Sequence, residues 1–170
     1  MLDSIKNKSI LTEKLLTISY IKKGDEVLMG LKKRGWGANK WNGFGGKLQA
    51  GETIEQAAKR EIKEECNLEV LNLIPFGTID FYFNEGDDYI NICHIFICDD
   101  YIGDIVETEE MEPRWFKTNE IPFSQMWRAD SYWIPIILNN KKVKGEVLYD
   151  KPSSLDYDPK ILEYKIEEYD

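Results

Sequence analysis

The sequence predicts an α/β fold, helices packed against a largely β core. Three observations lead there. Runs of β-branched and aromatic residues recur along the chain and are parted by turn residues. Two stretches, at 53–66 and 121–138, carry apolar residues at helical spacing instead. The 170 residues include five Trp and nine Tyr, enough bulk for one domain's core.

In chain order, residues 1–13 are polar and mixed and read as a loose N-terminal arm before a single domain at 14–170. "KLLTISYI" (14–21) and "EVLMGLKKR" (26–34) form a hairpin across Lys23-Gly24-Asp25. Residues 35–46 are a glycine-rich loop interleaved with Trp36, Trp41 and Phe44. The helix over 53–66 opens on a capping box, Thr53 with Gln56. Its stripe is Ile54, Ala57, Ala58, Ile62 and Cys66, and Asn67 suits the left-handed position after its last turn. Strands follow at 68–74, 76–83 and 89–100, with "NEGDD" turning between the last two. The third is apolar on both faces, the mark of a central strand. "PRWFK" (113–117) is a short strand. "IPFSQMW" and "DSYWIPIIL" form a broken helix ending before Asn139-Asn140. "KVKGEVLYD" and "PKILEYKIEEYD" close the sheet, with a Pro/Ser loop at 152–154 between them.

The net charge is −9, which argues against a long nucleic acid bound through its phosphates. It leaves room for a small anion that arrives with a divalent metal. Cys66, Cys93 and Cys98 with the single His94 show no zinc spacing and no even disulfide set, so reduced thiols in the cytoplasm are expected. No run of about 18 apolar residues predicts a membrane span, and the N-terminus lacks a signal-peptide pattern.

The chemistry concentrates in "WNGFGGKLQAGETIEQAAKREIKEECNL" (41–68). On a helix, Glu61 lies beside both Glu64 and Glu65. Three like charges there repel, near a C-terminus where the dipole also disfavours anions. A cation reverses that sign, and hard oxygens suit Mg²⁺ or Mn²⁺. Arg60 can clamp one carboxylate bidentately. Gly43, Gly45 and Gly46 allow a ligand close to the backbone. Loop, helix and acids together describe a site for a metal-bound diphosphate, and an ordinary solvated Glu/Lys face is the competing reading.

The span Gly46–Leu68 resembles the Nudix box, G-x5-E-x7-R-E-U-x-E-E-x-G-U. It reads Gly46, Glu52, Arg60, Glu61, Ile62, Glu64, Glu65, Asn67, Leu68, with only the late Gly replaced. "LKKRGWGANKWNGFGGK", "EEMEPRWF", "IPFSQMW" and "DSYWIP" are similar to the oxidised-purine nucleoside triphosphatase branch, the 8-oxo-dGTP diphosphatases. The resemblance implies an α/β/α sandwich around a mixed sheet. It implies Mg²⁺-dependent hydrolysis of purine nucleoside triphosphates to monophosphate and diphosphate; a monomer or weak dimer is the expected state.

Carried over by position, Glu61, Glu64 and Glu65 match the metal-binding acids, joined by the Gly45 carbonyl and Glu110. Glu52 matches the isolated box acid and Arg60 the orienting arginine, completing the catalytic set with Glu65, Glu61 and Glu110. The residues alone do not single out Glu110 among the four Glu of 107–112. Lys32 and Lys47 are placed to reach phosphate, beside Gly46 and Phe44. Asn42, Trp127 and Asp130 are the base readers. Phe81, Phe83 and Trp36 are candidate pocket walls, and Thr17 and Asn91 fall at strand positions that face the base. One departure bears on substrate: where the branch has two successive aspartates, this chain has Ala129-Asp130. That keeps another nucleoside diphosphate-linked substrate open, whether a dinucleoside polyphosphate, a sugar nucleotide or a capped RNA end.

Overall fold

A computed structural model describes residues 1–7, 11–86, 88–154 and 156–170. Its strands are β1 (Thr12–Lys23), β2 (Glu26–Lys32), β3 (Trp41–Asn42), β4 (Phe44–Lys47), β5 (Glu69–Phe83), β6 (Tyr89–Ile102), β7 (Met111–Lys117), β8 (Lys142–Tyr149) and β9 (Ile161–Tyr169). Its helices are α1 (Leu2–Lys6), α2 (Ile54–Cys66) and α3 (Asp130–Leu138), with a 3₁₀ turn at Phe123–Gln125.

The strands form one mixed sheet in the order β3-β2-β1-β6-β5-β8-β9, with β4 on β1 and β7 on β2. β1 with β6, and β5 with β8, are parallel; the other pairings are antiparallel. The central place expected for β6 is observed. It lies between β1 and β5, so both its edges are paired, and its side chains feed the clusters on both faces, Cys93, Ile95 and Ile97 on one and Cys98 on the other.

Strand alternation puts neighbouring side chains on opposite faces. Tyr20 joins the cluster under α3, with Trp133, Ile134 and Ile137. Ile21, next to it, joins the cluster under α2, with Ile62 and Cys66. The helices therefore cover opposite faces, and the expected α/β/α sandwich is observed. The capping box forms as read: Thr53 Oγ1 accepts from Gln56 N–H, and Gln56 Oε1 accepts from Thr53 N–H. Asn67 takes the left-handed cap at φ 67°. All three cysteines are buried and unpaired. Among the described residues no helix is long and apolar enough to cross a membrane.

Three readings need correction. The supposed loose arm contains α1, whose Leu2 and Ile5 are buried against Tyr82, Ile90 and Leu148; residues 8–10 of that arm lie outside the described residues. The strands read at 68–74 and 76–83 are one strand, β5. Pro75 does not end it, because bulges at Val70/Asn72, Asn72/Leu73 and Pro75/Gly77 absorb the irregular register. The 35–46 loop is partly sheet, since Phe44–Lys47 pairs with Leu16–Ser19. Asp87 of the "NEGDD" turn and Leu155 lie outside the described residues.

Candidate active site

A cavity of about 490 Å³ opens between β1, β4, the end of α2 and the start of α3. At one end stand Lys32, Gly45, Gly46, Lys47, Glu61 and Glu110; at the other, Asn42, Phe81, Phe83, Asn91, Trp127, Asp130 and Tyr149.

The acid end rests on α2. Glu65 is 1% exposed and accepts Gly45 N–H on Oε1 at 2.7 Å. Burial pushes its carboxyl up to about 8, and Glu61 and Glu110 nearby push the same way. Glu61 is raised too, by burial first, against the pull of Arg60. Arg60 clamps Glu52 bidentately at 2.5 and 3.1 Å, as expected, and its Nη1 also reaches Glu61 at 2.9 Å and Glu64 at 3.1 Å. One guanidinium thus bridges three acids and leaves the cluster net negative. The glycines are needed for close approach. A Cβ on Gly45 would stand 1.8 Å from Thr17 O, and one on Gly46 2.5 Å from Glu61 Oε1.

Glu110 is placed by a residue the sequence reading missed. Thr108 Oγ1 donates to Glu65 O at 3.1 Å and accepts Met111 N–H at 3.2 Å, tying this loop to the end of α2. A lone Thr among glutamates gives no signal for that role.

The base end comes from distant segments. Asp130 is buried, with Oδ1 accepting Trp133 Nε1–H at 3.2 Å and Oδ2 unpartnered. Burial drives its carboxyl up to about 7. Thr17 Oγ1 is also buried without a partner. Asn42 Oδ1 accepts Gly43 N–H at 2.9 Å, which commits one acceptor site and leaves its NH₂ for a ligand. Trp127 packs on Trp36 at 4.6 Å, with Lys40 Nζ 5.3 Å from its ring. Asp158 bridges Lys40 and Arg128 at 3.0 and 2.9 Å, so it stands beside Trp127.

Ten of the eleven residues expected to hold substrate line the cavity. Phe44 does not. It is fully buried under α2 with Ile62 and Met111, because β4 turns it away from its glycine neighbours. The cage expected of Gly45, Glu61, Glu64, Glu65 and Glu110 is not assembled: among the described residues no three His, Cys, Asp or Glu side chains converge as a metal group. Arg60 supplies the positive charge instead and holds Glu64 half exposed. The donors nevertheless fit a hard divalent cation. They are all oxygens, and the mutual repulsion of Glu61, Glu65 and Glu110 is what such a cation relieves. Sequence reading also missed Tyr149, whose only mark was its place on the closing strand β8.

The NUDIX domain matches residues 17–135. An oxidized purine nucleoside triphosphate hydrolase of Danio rerio is 47% identical over 157 residues, 92% of this chain and 96% of that protein. Its counterpart of the same description in Mus musculus is 44% identical over 159 residues, 94% and 97% of the two chains. The crystal structure of a MutT protein from Bacillus halodurans superposes with a TM-score of 0.76 at 26% identity, covering 91% of this chain and 97% of the other. The chain belongs to the NUDIX family.

Proposed function

We propose that this NUDIX hydrolase cleaves purine nucleoside triphosphates, oxidised ones included, to the monophosphate and diphosphate, and so clears damaged nucleotides from the pool. The observation that carries the substrate class is the base end of the cavity. Thr17 Oγ1 and Asp130 Oδ2 are buried there without partners beside an aromatic wall. Buried polar atoms are almost always paired, so a flat heterocycle with donors and acceptors on its edge is the natural occupant. Two full-length relatives described as oxidized purine nucleoside triphosphate hydrolases support the reading.

Glu61, Glu64, Glu65 and Glu110, with the Gly45 carbonyl, would hold Mg²⁺ or Mn²⁺. Such a cation neutralises the phosphate chain and makes water a competent nucleophile at neutral pH. The chain's own groups do the rest. Lys32 and Lys47, lining the same end, bind phosphate oxygens. Arg60 holds Glu52 and Glu61 in place. Glu65, buried and fixed by Gly45 N–H, is positioned to hold or pass a proton. Trp127 and the Phe81/Phe83 wall exclude water from the base, while Asn42 and Asp130 read its edge. The charge of −9 fits a metal-borne small anion rather than a nucleic acid.

The test is diphosphate release from dGTP, 8-oxo-dGTP, dATP, 2-hydroxy-dATP, dCTP and dTTP, with and without Mg²⁺. Metal-dependent turnover favouring purines, and oxidised purines above all, is expected. Turnover that is flat across all six sinks the substrate assignment.

A further inference from the structure

We infer that the Tyr149 hydroxyl is a specificity-determining group, reading the base jointly with Asp130 in the place left by Ala129. The inference rests on the purine triphosphatase reading and deepens it.

Ala129 cannot contribute a side-chain hydrogen bond, yet the space around it holds a polar atom. Its backbone N–H donates to Tyr149 Oη at 3.2 Å, in a buried setting. Tyr149 is 3% exposed and lines the cavity. Its ring is fixed from three sides, stacked on Phe81 and Phe83 at 6.1 and 6.2 Å and tilted against Trp127 at 6.4 Å. The oxygen therefore has little freedom to move.

A phenol carries one O–H donor as well as its acceptor sites. Tyr149 Oη uses an acceptor site on Ala129 N–H, and its proton has no acceptor among the described residues. Asp130 Oδ2 is in the opposite condition: buried, without a donor, and an acceptor whenever the carboxyl is ionised. Burial raises the Tyr149 pKa, so the hydroxyl stays protonated and remains a donor. The cavity lining thus offers a free donor on Tyr149 and a free acceptor on its near neighbour in the fold, Asp130, whose backbone adjoins Ala129.

That pair complements an edge with a carbonyl next to an N–H. A 6-oxopurine has this lactam edge, with O6 accepting from Tyr149 and N1–H donating to Asp130. A 6-aminopurine presents the reverse order and sets its N1 lone pair against the ionised Asp130 carboxylate. A second carboxylate in place of Ala129 would offer acceptors only when ionised, whereas the phenol offers a permanent donor at neutral pH. The class selected is therefore guanine- and hypoxanthine-type triphosphates over adenine-type ones.

The experiment compares wild type with Tyr149→Phe on dITP, dGTP, 8-oxo-dGTP and dATP. dITP is the informative member, because it keeps the lactam edge and lacks the 2-amino group. Loss of the hydroxyl is expected to lower kcat/KM for all three lactam substrates by about ten- to a hundredfold through KM. dATP turnover should change little. Metal-free binding of dIMP and dAMP by calorimetry is the second readout and should show the same loss for dIMP alone. A Tyr149 that only supports Ala129 N–H would lower Tm and all four substrates equally, which overturns the inference. An unchanged dITP-to-dATP ratio overturns it too. Wild type that hydrolyses none of the four would instead strike the purine reading beneath it.

Discussion

At the acid end of the cavity, charged groups touch one another. Arg60 reaches Glu52, Glu61 and Glu64, and Glu65 accepts a backbone N–H. At the base end, polar atoms touch little: Asp130 Oδ2 and Thr17 Oγ1 have no partner, and the Tyr149 proton has no acceptor among the described residues. The acid end is hydrogen-bonded but still crowded with like charge, and a cation must compete with Arg60 for its carboxylates. The base end is unsatisfied, and a ligand completes it. The two ends should therefore fail differently: damage to the first slows every substrate alike, whereas damage to the second changes which substrate is chosen.

The largest expected effect breaks the first half of this contrast. Glu65→Gln keeps the side chain's shape, and kcat is predicted to fall by about 10²–10⁴-fold on every base, with the ratio between bases unchanged. Steady-state kinetics on dGTP, 8-oxo-dGTP and dATP check it. Gly45→Ala comes next. A Cβ 1.8 Å from Thr17 O cannot be relieved by a side-chain rotation, so β4 must shift from β1. A loss of about 3 kcal/mol in urea unfolding is expected.

Asp130→Asn sharpens the second half. Burial raises this carboxyl from an ordinary 3.8 to about 7. Between those values the folded chain keeps a proton that the unfolded chain has released. Asp130 therefore makes stability fall as pH rises from about 4 to about 7. Asn removes that slope, and the gap between variant and wild type, read as Tm from pH 4 to pH 8 in chelator, should move in favour of the variant with rising pH. The smallest effect is Thr53→Ala, which removes one half of the capping box. About 1 kcal/mol of stability should go, with kcat per folded molecule and base preference untouched.

The same contrast decides what could be read from the sequence. Apart from Lys32, Gly45 and Glu110, the acid end lies within 23 residues, Gly46 to Leu68, on a loop and one helix whose geometry follows from spacing. Helical period alone put Glu61, Glu64 and Glu65 together, and the capping box and Asn67 fixed the helix ends. What spacing could not supply was rotamer choice: Arg60 gathers Glu64 outward, so the cage is not preassembled. Phe44 was misplaced because a four-residue strand inside a glycine-rich stretch looks like loop, and strand alternation is what buries it. The base end joins Thr17, Asn42, Asn91, Trp127, Asp130 and Tyr149 from five separated segments. Resemblance located five of these. Tyr149 escaped because it matters only through its distance to Ala129, which no local pattern encodes. β5 was cut at Pro75 because a proline in a strand ordinarily ends pairing, and here bulges accommodate it.

The central claim is the division of labour between the two ends. It is tested most directly by measuring kcat and KM separately for Glu65→Gln and Asp130→Ala on the same pair, 8-oxo-dGTP and dATP, with Mg²⁺. The account predicts that Glu65→Gln lowers kcat equally on both and preserves their kcat/KM ratio, while Asp130→Ala shifts that ratio by about tenfold or more. A changed ratio in Glu65→Gln, or an equal loss on both substrates in Asp130→Ala, would contradict it.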